Sequence, residues 1–589
     1  MDLHFLPLVS QIEARTKSSY SLIKAPVLSK NKNHVNVDLN SISKNSLKVK
    51  NVYIKTPPQG LERAFYELLT HEAVEFLADL VIKFDEDVNS LYNHRLQRKA
   101  EQRINQKIPS FSKLQVEDDN WEVAPVNNRL RNRHLDLGDV SPSNLDHFSA
   151  ALCANVQGIQ VDFDDGHCPN WFNQIYGLHN VFKAVHNQLD NVPEISAAPI
   201  LMLRPRAWNM IEKNVHINGK YIPGPLFDFA LLMFHTGKIL YKCGCGPCFY
   251  LSKLESSDEA KLWNNIFSWS EERLGIPYGS IKACVLIENI LASFEVENIL
   301  YQLKDHSLGL NCGIWDYAAS IIAKFGDKKS FVLPDRNKYV NMDKRFLKKY
   351  LQLVVKVCHK RGAYATGGMA AQLLPPDSNS ESYKIILQKV CEAKIKEIQE
   401  GVDGFMVYDL NLVPFMNNLW KKFPKVPGLN QISYPGTPEE ITEKDLLSLP
   451  EGGVTIKGLE HNIKVAILFI YNWFNGRGHF IIDGSIEDSA TAEISRSQIW
   501  QWIRHAAKLE DYHNDNHDTV TSQLVDILTE KIVNDLVKTY STNLFVDRIR
   551  KLVMAKHVFI DIVNCRDFPD FITTYVYDIY PFSNLLSHL

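Results

Sequence analysis

The sequence predicts an α/β fold: a parallel sheet, either covered by helices on both faces or closed into a (β/α)8 barrel, with helical segments before and after it. Three observations predict it. Between about 146 and 435, short apolar runs alternate with longer amphipathic stretches, the order of strand and crossover helix. The runs are apolar almost without interruption, as strands buried on both faces are. With 589 residues, 45% of them hydrophobic, the chain can enclose a large core, and a barrel with additions would absorb most of that length.

Residues 1–58 come first and read as a flexible basic arm. They are rich in Lys, Ser and Asn and poor in acids (SKNKNHVNVDLNSISKNSLKVKN), with little helical periodicity. Residues 59–145 follow as a helical segment. In LERAFYELLTHEAVEFLADLVIKF apolar residues recur at three- and four-residue spacing, and a polar stretch continues to about 145. Residues 146–435 carry the sheet, with strands read in ALCANVQGIQVDF (151–163), APILMLRPR (198–206), KACVLIE (282–288), GAYATGG (362–368) and DGFMVYD (403–409). Helices such as EAKLWNNIFSWSEERLG and KRFLKKYLQLVVKVCHKRG lie between them. Residues 436–454 are polar with Pro and Gly at both ends, as a linker is. Residues 455–586 are a helical domain, read in HNIKVAILFIYNWFNG, SATAEISRSQIWQWIRHAAKLEDY and SQLVDILTEKIVNDLVKTY.

Composition excludes several classes of partner. Lys and Arg number 65 against 68 Asp and Glu, a net charge of −3, so neither a nucleic acid nor a membrane surface is implied. The longest apolar run, about Val465 to Tyr471, is far too short to span a bilayer. Ten scattered cysteines fit a reducing compartment. Cys243, Cys245 and Cys248 lie close together, but no fourth ligand for a structural zinc stands nearby, so free thiols are expected. The N-terminus shows no signal peptide. Asp2, Glu13 and the scarcity of Arg argue against a mitochondrial address.

Three apolar runs lead into charge. Leu201-Met202-Leu203 ends on Arg204, Cys284-Val285-Leu286-Ile287 ends on Glu288, and the stretch from Leu308 to Gly313 leads to Trp315 and Asp316. In a barrel, the C-terminal ends of strands line the active site, so one cation and two carboxylates converge on one rim. Two carboxylates without a His or Cys partner suit a hard cation such as Mg2+. Helix caps or pairs with surface lysines are the competing use of Glu288 and Asp316.

KDHSLGLNCGIWDY (304–317) closely resembles the central block of the A-type malate synthases. RPRAWN (204–209), GPLFDFALLMFH (224–235), GPCFYLSKLES (246–256), IKACVLIENI (281–290), LPDR (333–336), CHKRGAYATGGMAAQ (358–372) and IEDSATAEISRSQIWQWI (486–503) resemble further blocks of that family, in family order, over roughly residues 65 to 510. The resemblance implies a TIM barrel with an N-terminal helical clasp over 59–145 and a C-terminal helical domain. It implies Mg2+-dependent condensation of acetyl-CoA with glyoxylate, followed by thioester hydrolysis to malate and CoA. Arg204 matches the family's catalytic arginine, Glu288 and Asp316 its magnesium ligands, and Asp488 its catalytic base. The backbone of Gly313, Ile314, Trp315 and Asp316 matches the segment that holds the glyoxylate carboxylate. Chemically the set is coherent: a weakly acidic thioester methyl group needs a base, a fixed cation for the enolate oxygen, and a Lewis acid on the aldehyde. Asp488 equally fits a helix N-cap before Ser-Ala-Thr-Ala.

The chain departs from the family at Ile314 (usually Arg), at Ala207 and Asn209 (usually Gly and His), and at 405–410, where Phe-Met-Val-Tyr-Asp-Leu replaces Thr-Trp-x-x-His-Pro. These departures keep two alternatives open: a metal-dependent acyl-CoA C–C lyase of the citramalyl-CoA type, and an inactive CoA-binding relative. Asp162, Asp164 and Asp165 form an acid cluster that suits either support of the site or a solvated turn. His306 and the Trp500, Trp502, Ile503 stripe read as structural. The tripeptide Ser587-His588-Leu589 is similar to the Ser-Lys-Leu address read by the peroxisomal import receptor. A peroxisome or glyoxysome is therefore expected, with mitochondrion or cytoplasm as alternatives.

Overall fold

The structure is a computed structural model that describes residues 34–36, 51–105, 108–114, 116, 118–511, 518–539 and 545–579. Eight parallel strands close into a barrel: β1 Leu135–Val140, β2 Gly158–Asp162, β3 Ile200–Arg204, β4 Cys248–Leu251, β5 Lys282–Leu286, β6 Ser307–Asn311, β7 Ala365–Ala370 and β8 Gly404–Val407. Each pairs with the next, and β8 returns to pair with β1. The strands are apolar because nearly all their residues are enclosed. Leu135, Leu137, Ile159, Val161, Leu201, Leu203, Phe249, Val285, Leu310 and Phe405 are all buried, each contributing about 1.5–3 kcal/mol of transfer free energy. Two glycines are dictated by close approach of neighbouring backbone. A Cβ on Gly309 (φ +102) would lie 2.1 Å from the Tyr364 carbonyl, and one on Gly404 would lie 1.7 Å from that of Arg133.

The helical clasp consists of Glu62–Leu68 and the 35-residue helix His71–Asn105, which lays Phe76 against Phe234 and Trp269 of the barrel's outer helices. The C-terminal domain, Ile456–Phe474, Ser489–His505, Ser522–Thr539, Phe545–Asn564 and Ile572–Ile579, has its own apolar core. Helix Ser489–His505 joins it to the barrel. Gln498 donates to the Pro334 carbonyl at 2.6 Å and Trp502 to that of Leu333 at 2.7 Å. Trp500 and Trp502 are buried and Ile503 packs against the core, so the aromatic stripe is structural.

The structure corrects several expectations. The barrel begins at Leu135, inside the segment read as clasp, because β1 (LDLGDV) looks polar: its Asp136 is buried in an ion pair with Arg133 at 2.7 Å. β4 was not expected, being four residues beside a cysteine cluster. Residues 151–152 end helix Leu145–Leu152, so the second strand is shorter than 151–163. The arm of 1–58 ends in a packed strand, Val52–Lys55, with Val52 and Ile54 buried, which pairs antiparallel with Ile211–Ile217. Residues 1–33 and 37–50 of that arm, and the tripeptide 587–589, lie outside the described residues. All ten cysteines are free thiols. Among the described residues no helix is long and apolar enough to cross a membrane.

Candidate active site

The site grows from the carboxyl ends of β2 to β6. Register places Asp162, the last residue of β2, opposite Arg204, the last of β3, so acid and cation share one rim. Asp162 accepts hydrogen bonds from the backbone of Asp164 (2.7 Å), Asp165 (3.2 Å) and Gly166 (3.1 Å), which folds the next two acids back over the barrel mouth. Arg204 spans this turn, donating to Asp162 and Asp164 at 3.3 Å each and to Asp165, with Glu288 3.8 Å away. Its Nε–H is a buried donor with no acceptor.

After β4 the chain takes a left-handed turn at Lys253 (φ +56) that aims its ammonium into the cluster. Nζ lies 2.8 Å from Asp164, 2.7 Å from Asp165 and 3.7 Å from Asp316. The Lys253 N–H donates to Glu288 at 2.9 Å. Glu288 follows β5. Asp316 lies in the first turn of helix Trp315–Phe325, just after β6. Ligand atoms of Asp165, Glu288 and Asp316 all lie within 4.8 Å of one another. Burial pushes Glu288 up from its ordinary range, against the pull of Lys253 and Arg204. Burial likewise pushes Asp316 well up, against Lys253 and with Glu288. Asp165 is held far below the usual range despite burial, because Arg204 and Lys253 flank it. Five clustered acids, 162, 164, 165, 288 and 316, thus face two cations. An all-oxygen pocket with excess negative charge is what a hard divalent ion requires.

Helix Ser489–His505 brings the other domain to this rim. Ser489 Oγ donates to Asp165. Asp488 caps the helix: its Oδ1 accepts from the Thr491 N–H at 3.0 Å, and Thr491 Oγ1 accepts from the Asp488 N–H at 3.0 Å. The N-cap expectation for Asp488 is met, and the helix it caps docks on the barrel through Ser489. Gly313 packs against Glu288, where an added Cβ would lie 3.3 Å from the Glu288 Cβ. Ile314 precedes the helix, and Arg336 stacks over Trp315 at 5.0 Å. The first-turn N–H groups of that helix have no intrahelical acceptor and suit an anion.

The structure brings Arg204, Glu288 and Asp316 together on one rim, with Gly313 against Glu288. The sequence reading passed over Lys253, whose only signal was its place in the SKLES block, and it did not place Asp165 beside Glu288 and Asp316. The departures have structural partners. Asn209 Nδ2 donates to Thr574 Oγ1 at 2.8 Å, tying the barrel to helix Ile572–Ile579. Tyr408 meets His479 at 3.2 Å, and Asp409 accepts the Leu374 N–H at 2.7 Å. His306 contacts Asn264 at 2.8 Å and Glu271 at 3.1 Å, a structural use as expected.

Comparison with known families settles the kinship. Residues 200–449 match the family model "Malate synthase, TIM barrel domain" and residues 453–579 match "Malate synthase, C-terminal". The chain belongs to the malate synthase family. It is 38% identical over 530 residues to malate synthase of Dictyostelium discoideum, covering 87% of this chain and 94% of that protein. Malate synthase A of Escherichia coli is 38% identical over 470 residues (77% and 86%). Glyoxysomal malate synthase of Candida tropicalis is 34% identical over 553 residues (90% and 96%). The enzyme transfers the acetyl group of acetyl-CoA to glyoxylate and releases malate and CoA. The matches favour this activity over the C–C lyase and the inactive relative.

Proposed function

We propose that the chemistry is divided between the two domains, with Asp488 as general base, Arg204 as electrophilic partner, and Glu288 and Asp316 as ligands of Mg2+. The observation that carries this reading is the Ser489–Asp165 hydrogen bond, which seats the helix capped by Asp488 on the acid cluster of the barrel. When bound there, Mg2+ would supply charge neutralisation and Lewis-acid polarisation of the glyoxylate aldehyde. Asp165 is a further candidate ligand on geometry. The backbone N–H groups of Gly313 to Asp316 hold the glyoxylate carboxylate. Arg204 is fully charged at every accessible pH, and its Nε–H is a free donor for an oxygen that gains charge as the thioester enolises. Asp488 removes a methyl proton, the carbon so exposed attacks the aldehyde, the alkoxide oxygen so formed takes up a proton, and Asp488 gives its own up again. Water then cleaves the thioester, and CoA leaves with a proton. Placing base and cation on different domains lets closure exclude water.

The test is exchange of acetyl-CoA methyl protons with deuterated water, followed by NMR with Mg2+ and a glyoxylate analogue that cannot accept the carbon. The wild type exchanges and Asp488→Asn does not. Exchange at the wild-type rate in that variant removes the base assignment. We further propose a peroxisomal or glyoxysomal location, supported by glyoxysomal relatives and by Ser587-His588-Leu589. A fluorescent fusion that reaches peroxisomes equally well without the tripeptide contradicts it.

A further inference from the structure

Arg336 closes the LPDR block and has no part in the acid cluster, yet it is only 4% exposed, enclosed between the two domains. Asp335 fixes the chain at this point. Its N–H donates to the Gly453 carbonyl at 3.0 Å, its Oδ1 accepts the Asn337 N–H at 2.9 Å, and its Oδ2 accepts from Thr455 Oγ1 at 2.6 Å. The chains approach so closely there that a Cβ on Gly458 would lie 2.1 Å from Asp335 Oδ2. Arg336 thus starts from a rigid base at the junction of the barrel and the C-terminal domain.

The guanidinium faces both domains. Toward the C-terminal domain, Nε donates to Asn462 Oδ1 at 3.0 Å and Nη2 to Ser495 Oγ at 3.1 Å. Asn462 donates to Gln498 Oε1 at 3.0 Å, and Gln498 donates back to the Pro334 carbonyl, which closes a buried polar ring. Ser495 and Gln498 lie on the helix that Asp488 caps, and the Glu487 carboxyl stands 3.8 Å from Nη2. Toward the barrel, the guanidinium carbon lies over the Trp315 ring, 5.0 Å from its centroid. Trp315 opens helix Trp315–Phe325 beside Asp316 and packs against Ala318, Leu333, Ile494 and Trp500. A tie between domains needs only the bonds to Asn462 and Ser495. The contact with Trp315 goes further, because it reaches the segment that faces the acid cluster. A desolvated cation over an indole face contributes a factor of roughly 30.

We propose that Arg336 is a positioning residue for glyoxylate: it holds Trp315 in the orientation that presents the N–H groups of Gly313 to Asp316, and through Asn462 and Ser495 it sets that segment against the helix that Asp488 caps. The proposal rests on the reading that this segment holds the glyoxylate carboxylate. Arg336 acts through Trp315 alone and exchanges no proton and no bond. Its charge is permanent, so the effect does not depend on pH.

Arg336→Lys keeps the charge beside Glu487 but loses the planar fork that bonds Asn462 and Ser495 while covering the indole. Calorimetric titration of glyoxylate into the Mg2+-loaded enzyme, without acetyl-CoA, is expected to show affinity about 10- to 30-fold weaker, with Mg2+ affinity and KM for acetyl-CoA within about threefold of wild type. A double-mutant cycle with Trp315→Leu shows whether the effect passes through the ring. The double variant is expected to bind glyoxylate within about threefold of Trp315→Leu alone. Trp315→Phe, which keeps a weaker face at a half-buried position, is expected to lie between wild type and Trp315→Leu. That series serves if Arg336→Lys does not fold, and equal affinity across it overturns the proposal. Additive losses in the cycle also overturn it, since they leave Arg336 a tie between domains. Wild-type affinity in Arg336→Lys beside a weakened Trp315→Leu removes only the role of Arg336, whereas wild-type affinity in both removes the carboxylate reading of 313–316 itself.

Discussion

Replacing Arg204 with lysine keeps a positive charge in the acid cluster but removes the shape that uses it. The guanidinium reaches Asp162 and Asp164 at 3.3 Å, touches Asp165, and still has Nε–H free. An ammonium is a point charge that cannot span these acids and also offer a fixed donor to substrate. Loss of one preorganised donor at a developing oxyanion costs about 2.7–4 kcal/mol, a 10²- to 10³-fold fall in kcat. The ground state suffers less, because the cluster keeps its cation. Arg204→Ala instead leaves buried acids uncompensated, at about 3–5 kcal/mol of stability. Steady-state thiol release at saturating substrates, paired with thermal unfolding, separates these effects. Arg204→Lys is expected to lose activity on that scale with a melting midpoint within a few degrees of wild type, and Arg204→Ala to lose both. A folded Arg204→Lys enzyme with more than about a tenth of wild-type kcat would refute the role of the fork.

Two further outcomes follow from the same geometry. Asp165→Asn is expected to weaken Mg2+ binding about tenfold or more by calorimetry, since Asp165 shares the ligand cluster with Glu288 and Asp316; unchanged affinity would confine the site to the other two. Acid lability is expected from His167, which is buried and contacts Ser141 at 2.9 Å and Gln174 at 3.0 Å. Burial, aided by the Arg206 charge, lowers its pKa to about 3. The unfolded chain titrates near 6.5, so it binds the extra proton as pH falls below that value. Stability is therefore lost as pH drops from about 6.5 toward 3, by roughly 2 kcal/mol from this group at pH 5. Urea midpoints at pH 7 and 5 should converge in His167→Asn, and an undiminished pH dependence in that variant would contradict the account.

The sequence was legible where apolar pattern and chemistry coincide. β3 is an apolar run that ends on Arg204, and β5 is apolar from Ala283 on and leads straight into Glu288, so strand and site residue announce one another. β1 was hidden because Asp136 is neutralised inside the barrel by Arg133, a partner no local window weights. β4 is masked because the turn residues Gly244 to Pro247 run straight into its four-residue apolar stretch. Lys253 and Asp165 belong to the site through tertiary geometry alone. A positive φ aims Lys253 inward, and three backbone bonds to Asp162 fold Asp165 over the rim.

The central claim, that a base on one domain serves a cation and metal cluster on the other, is tested most directly by thiol release from acetyl-CoA. The purified protein would be assayed with and without glyoxylate and Mg2+, beside Asp488→Asn and Arg204→Ala. The account predicts release that needs both additions and collapses in both variants. Release that survives in Asp488→Asn, or that proceeds without Mg2+, would contradict it.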